Sequence, residues 1–180
     1  MSRSAKTVIG ETLRLALTFL LAFISFYIVT SYPAKALSAI LGIAGVPFLG
    51  IALLGGFILI FWVSTAYTIA GENYGIITAL LAAAFCLFTS PWFGISEPAW
   101  YGVYGLTSYF LAGLITEKLN GGFGNLACLL VNWFALGFHH GIWPPQTLAI
   151  IFLATSFTSG LAGDKLARIV WKKLKTKTEK

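Results

Sequence analysis

The sequence predicts an all-α integral membrane protein with six transmembrane helices and both termini on the cytoplasmic side. Three observations carry that reading. First, 58% of the 180 residues are hydrophobic and 10% are charged, with a mean hydropathy of +0.85. Soluble domains run at about 25% charged residues, so this chain lacks the polar surface to coat a water-soluble globule. Second, the apolar residues fall in six stretches, each near the roughly 20 residues that cross a bilayer as a helix. Third, Lys and Arg are shared very unequally between the two sides that those stretches define. The same composition excludes an ordinary cytosolic enzyme, a disordered chain and a secreted disulfide scaffold. Cys86 and Cys128 both lie inside apolar runs, where thiols act as small hydrophobes.

The first stretch, 13–31, is too long for a signal-peptide core, and no small-residue cleavage pattern follows it. It is therefore read as a retained helix. From 33 to 49 the chain is still apolar but is broken by Gly42, Gly45 and Pro47. This part is expected to form a short re-entrant or interfacial segment, able to bend at its glycines as a lid. The second and third helices, 50–70 and 74–90, are separated by Gly71-Glu72-Asn73, and Pro91 closes the third. The fourth, 100–116, starts near Glu97 or Pro98, because proline suits the first turn of a helix. Residues 117–122 turn the chain into the fifth, 123–138, and Trp143-Pro144-Pro145 separates that helix from the sixth, 147–163. The chain, 1–180, thus reads as a single six-helix membrane domain with a basic cytoplasmic tail at about 164–180.

Arg3, Lys6, Arg14, Lys118 and the seven cations after 163 all fall on one side of this arrangement, against Lys35 alone on the other. Eleven against one places the N-terminus inside, and an even number of spans returns the C-terminus there. The net charge of +6 is then a topology signal, and nucleic acid is not an expected partner. The expected location is the plasma membrane, as a multi-pass protein. Of the six acids, Glu97 alone faces outward, in the company of His139, His140, Trp92, Trp100, Tyr101, Tyr104 and Trp143. The inner face reads as basic and plain, and the outer face carries the chemistry.

On a helix starting at Glu97, the residues Glu97, Tyr101 and Tyr104 fall at i, i+4 and i+7, one stripe near the outer end. A carboxylate backed by phenols can accept paired N–H donors while the rings stack on a flat ligand. Two plainer roles fit the same residues: an acid at a helix N-terminus and an interfacial aromatic belt. At the end of the fifth helix, Asn132 and His139 share one face and Trp133 and His140 another. Adjacent histidines point about 100° apart, so the pair does not make a shared metal site, and no metal or other cofactor is expected. One histidine is expected to face the interior near Glu97. Asn132 needs partners inside a membrane, either as helix–helix glue or as a ligand contact. There is no G-x-S-x-G, no paired carboxylates and no glycine-rich nucleotide loop, so the chain is not expected to be an enzyme. On the first helix Thr18, Ala22 and Ser25 form a stripe of small residues. Such a stripe permits close approach, either to a neighbouring helix of this chain or to another membrane subunit.

The length, the six spans, the broken segment after the first helix and the outer constellation resemble the substrate-binding S components of energy-coupling factor (ECF) transporters. The stretches that carry the resemblance run from Gly71-Glu72-Asn73-Tyr74-Gly75 through Ser90-Pro91-Trp92-Phe93-Gly94 and Glu97-Pro98-Ala99-Trp100-Tyr101-Gly102. They end at Thr116-Glu117-Lys118-Leu119-Asn120-Gly121-Gly122-Phe123-Gly124-Asn125. The resemblance implies capture of a vitamin-like solute from outside and delivery inward with a membrane coupling subunit and cytoplasmic ATPases, within a lipid bilayer. Thiamine-binding members place an acid and an aromatic at the start of the fourth helix and add His, Trp and Asn from later helices. Glu97, Trp100 or Tyr101, Asn132, Trp133 and His139 hold similar places here. An aminopyrimidine would offer N–H donors to Glu97, and a thiazolium cation would sit over Trp or Tyr faces at about 0.5–2 kcal/mol. Thiamine, a precursor or another flat vitamin all suit that set. The first helix departs from the Ala-x-x-x-Ala pattern common in such proteins, carrying Thr18 at its first position.

Overall fold

A computed structural model describes residues 3–30, 56–89, 98–141, 143–144 and 146–178, with side chains over 9–28, 56–88, 103–139, 141, 143–144 and 146–173. Six helices follow one another: α1 Arg3–Thr30, α2 Gly56–Ala70, α3 Tyr74–Thr89, α4 Pro98–Lys118, α5 Gly121–His140 and α6 Gln146–Thr178. Among the described residues there is no strand. Each helix falls on one of the six predicted apolar stretches. Three contain windows long and apolar enough to cross a membrane, Ile9–Ile28, Gly121–His139 and Gln146–Lys173. The helices α2 and α3 are apolar but shorter, at 15 and 16 residues. The 33–49 segment, expected to be re-entrant or interfacial, lies outside the described residues.

Two helices run well beyond their apolar stretches. α1 begins at Arg3, and α6 continues through the basic tail to Thr178. The extension of α6 has a simple cause: 164–178 contains neither Gly nor Pro and is rich in Lys, Leu, Ala and Arg, which are good helix formers. Loss of hydrophobicity ends a membrane-crossing window without ending the helix.

The bundle is arranged around α2. That helix touches every other one, while α1, α3, α4, α5 and α6 follow one another around it. A helix apolar on all sides belongs in the middle of such an assembly, and among the side chains of α2 only Thr68 is exposed. The core joins Ala22 of α1, Leu59, Ile60 and Val63 of α2, Ala79 and Ala82 of α3, Ala112 of α4 and Cys128 of α5. Half of these eight are alanines, which let backbones approach where the bilayer gives helices no hydrophobic reason to associate.

The small-residue stripe of α1 belongs to this interior. Thr18, Ala22 and Ser25 are at most 1% exposed, and Phe19, Phe23 and Phe26 beside them pack their rings against Phe85 of α3. Of the two uses expected for the stripe, the structure shows approach to neighbouring helices of the same chain, and these residues present no face to another subunit. Three buried hydroxyls are satisfied locally: Thr18, Thr78 and Ser108 donate to Arg14 O, Tyr74 O and Gly105 O on their own helices. α5 and α6 approach closely, and a Cβ on Gly160 would strike the backbone of Gly121.

Candidate functional site

The candidate site lies at the end of the bundle where α4 starts and α5 finishes, the end predicted to face outward. α4 begins at Pro98, as the proline requires. Trp100 and Tyr101 therefore sit in its first turn, and Tyr104 one turn further on. Glu97 lies outside the described residues, as do the side chains of Trp100, Tyr101 and His140. The Tyr104 ring meets the imidazole of His139, near the end of α5, edge-to-face with centroids 5.2 Å apart and planes at 72°. His139 is exposed and Tyr104 half-buried. Two residues predicted from separate helices thus come together. They offer two aromatic faces, a phenol that can donate and accept, and an imidazole that can do either.

The end of α5 is fixed by its cap. Gly141 takes φ 66, a left-handed conformation that suits glycine, and donates its N–H to Gly137 O at 3.1 Å. The chain then reverses, and Trp143 folds back over Gly137 between Phe134 and Phe138, at centroid distances of 6.3 and 6.1 Å. All three rings are exposed, which is the arrangement of an interfacial aromatic belt.

α5 presents two different faces, and they separate the remaining predicted residues. Cys128 lies in the core, and Asn132, one turn on, donates its amide N–H to Cys128 O at 2.8 Å on the same helix. Of the roles expected for Asn132, gluing one helix to another is not what this bond does. Trp133, one position along and so about 100° around, turns toward α6. It is 7% exposed, packs with Leu129 and Phe152, and meets the Phe152 ring edge-to-face at 6.2 Å. Its indole is taken up by the α5–α6 seam, away from the Tyr104–His139 side.

The buried interhelical amide is Asn125, which the sequence reading did not single out. It is 3% exposed and donates from α5 to Ser156 O at 2.8 Å and Ser159 Oγ at 3.1 Å on α6. Gly56 of α2 lies directly against it, where a Cβ would strike the amide. The available signal was the small-residue run Ser156, Ser159 and Gly160, which leaves room for a polar side chain from a neighbouring helix.

The opposite end of the bundle is not the plain basic face that the sequence suggested. Glu117, near the end of α4, accepts backbone N–H groups of Asn73 at 2.9 Å and Ile76 at 3.1 Å, so it caps α3 from another helix. Asp164 of α6, 3% exposed, accepts Arg168 Nε at 2.9 Å and faces the Gly121 N–H that opens α5. Arg168 in turn lies over the Tyr67 ring of α2, 5.8 Å from its centroid. Glu11 of α1 accepts the Tyr74 hydroxyl at 2.6 Å. Three of the acids counted only for their side of the membrane therefore join helices at this end, Glu117 linking α4 to α3, Glu11 linking α1 to α3 and Asp164 linking α6 to α5.

Among the described residues, no group of three or more His, Cys, Asp or Glu side chains is placed to hold a metal ion. Comparisons with protein-family models, with curated proteins and with solved structures find no match for this chain.

Proposed function

We propose that this chain is the substrate-capture subunit of a vitamin-uptake transporter of the energy-coupling factor type. It would span the plasma membrane six times with both termini inside. It would take a small flat solute, with thiamine or a thiamine precursor favoured, from the outside. A membrane coupling subunit and cytoplasmic ATPases would supply the work, and the chain itself would bind and release.

The observation that carries this reading is the Tyr104–His139 contact. Tyr104 was expected on the Glu97 stripe and one of the two histidines beside it, and Tyr104 and His139 meet from two helices with ring centroids 5.2 Å apart near the start of α4. In the sequence Glu97 stands seven positions before Tyr104, the i and i+7 spacing of one helical stripe. In that register the acid supplies the hydrogen-bond acceptor and the rings supply stacking, which are the two things an aminopyrimidine needs. The test is thermal stability of the purified chain in detergent against a vitamin panel led by thiamine and hydroxymethylpyrimidine. A ligand specific for the folded state adds about 2.7 kcal/mol at 100 times its Kd. The expected result is a shift that Glu97→Gln abolishes. No shift with any member of the panel, in a protein shown to be folded, overturns the proposal.

A second reading, a structural subunit of a larger membrane complex, is favoured by one observation. Trp133 and Asn132, expected in the pocket, are occupied by the α5–α6 seam and by their own helix. It predicts that Glu97→Ala affects neither ligand binding nor transport.

A further inference from the structure

We propose that the extension of α6 is a binding surface for the anionic phospholipid headgroups of the surrounding cytoplasmic leaflet. This goes beyond solute capture and rests on α6 crossing a bilayer with its C-terminal end inside, as proposed above. α6 has 33 residues, about 50 Å at 1.5 Å per residue, against a hydrocarbon core of roughly 30 Å. Part of the helix must therefore run through the headgroup layer.

The residues of that part suit a headgroup layer. Lys165, Lys172 and Lys173 are exposed, which hydrocarbon would not tolerate. Interleaved with them, Leu166, Ile169 and Val170 are 42%, 53% and 40% exposed. Headgroups satisfy both sets: apolar side chains reach the acyl boundary, while lysines snorkel to the phosphates. Lys165 and Lys172 lie seven positions apart and share one helical face, so two cations align along the length of the helix. Asp164 adds no free negative charge at this level, because Arg168 pairs with it at 2.9 Å. The remaining charge favours an anionic headgroup over a zwitterionic one.

Trp171, half-buried on the same stretch, is a native reporter. The full chain is reconstituted in vesicles, and quenching by brominated phosphatidylglycerol is compared with quenching by brominated phosphatidylcholine. The Trp171 share is taken as the difference from Trp171→Phe. The expected result is a preference for the anionic lipid on the order of ten-fold, falling in about 1 M salt, where the Debye length is about 3 Å. The triple variant K165Q/K172Q/K173Q should lose the preference, and K165R/K172R/K173R should keep it. Equal quenching by the two lipids, or a preference that survives the glutamine variant, overturns the proposal. No Trp171 quenching by either lipid overturns it together with the placement of α6 across the bilayer.

Discussion

Glu117 holds Asn73 from 44 residues away in sequence, its Oε2 accepting the Asn73 N–H at 2.9 Å while Oε1 accepts from Ile76 at 3.1 Å. Asn73 sits at φ 70 in the short turn between α2 and α3, a left-handed conformation that asparagine tolerates better than most side chains. The carboxylate meets two N–H groups of a helix start that have no partner within their own helix. Glu117→Ala should destabilise the chain by about 1–2 kcal/mol, the range for loss of a helix cap. Glu117→Gln keeps one acceptor and should cost about half as much. Denaturant or thermal unfolding in detergent reads both; a Glu117→Ala variant as stable as the parent would mean that solvent caps α3 equally well.

The two asparagines of α5 should behave oppositely. Asn125 bonds across to Ser156 and Ser159 on α6, and Asn132 bonds back to Cys128 on its own helix. Interhelical hydrogen bonds in membrane proteins contribute about 0.6 kcal/mol on average and up to about 1.7. Asn125→Ala removes two such bonds at a 3% exposed site and should cost about 1–2 kcal/mol. Asn132→Ala should stay within about 0.5 kcal/mol of the parent. Equal losses would show that the α5–α6 bond contributes nothing beyond a local one.

These two asparagines also mark how far the sequence could be read. The apolar stretches, the proline at 98 and the break at Trp143-Pro144-Pro145 located all six helices, because each signal is local. Which residue faces which neighbour depends on the rotation of one helix against another, and spacing within a helix gives only relative angles. Asn132 and Trp133 were correctly separated onto different faces, but nothing in their spacing said that the Trp133 face meets Phe152 of α6. The acids show the same limit. Counting Glu117 and Asp164 by side of the membrane gave them no partner, yet each one caps a helix other than its own. The end of α6 was misplaced for a different reason: hydropathy falls at 164, but helix propensity does not.

The α5–α6 seam should tolerate added bulk poorly. A Cβ on Gly160 would strike the backbone of Gly121, whereas a Cβ on Gly10 of α1 meets nothing within 4 Å. Gly160→Leu must push the two helices apart, which also stretches the Asn125 bonds to α6. A loss of about 3 kcal/mol is expected, at the upper end for overpacking. Gly10→Leu should be neutral or slightly stabilising, since leucine is the better helix former by up to about 1 kcal/mol. Parallel thermal unfolding curves test the contrast. Comparable losses would place the cost in glycine replacement itself and not in the close approach of α5 and α6.

The Tyr104–His139 contact makes a prediction that separates packing from binding. An edge-to-face aromatic pair is worth about 0.5–1.5 kcal/mol beyond the area it buries, and a double-mutant cycle isolates that coupling. Tyr104→Ala, His139→Ala and the double variant should therefore give a coupling of this size in the stability of the chain without ligand. If the pair also lines the solute site, each single variant should reduce the thiamine-induced thermal shift, and the double variant should add little to the larger single effect. The rings act as one surface in that case, and losing either member spoils it. Tyr104→Phe keeps the ring and removes the hydroxyl, so it should retain the coupling and weaken only what the phenol bonds to. A cycle with no coupling energy would mean that the 5.2 Å contact is incidental. Coupling in stability with an undiminished ligand shift in all three alanine variants would place the solute away from the ends of α4 and α5, and with it the function proposed for them.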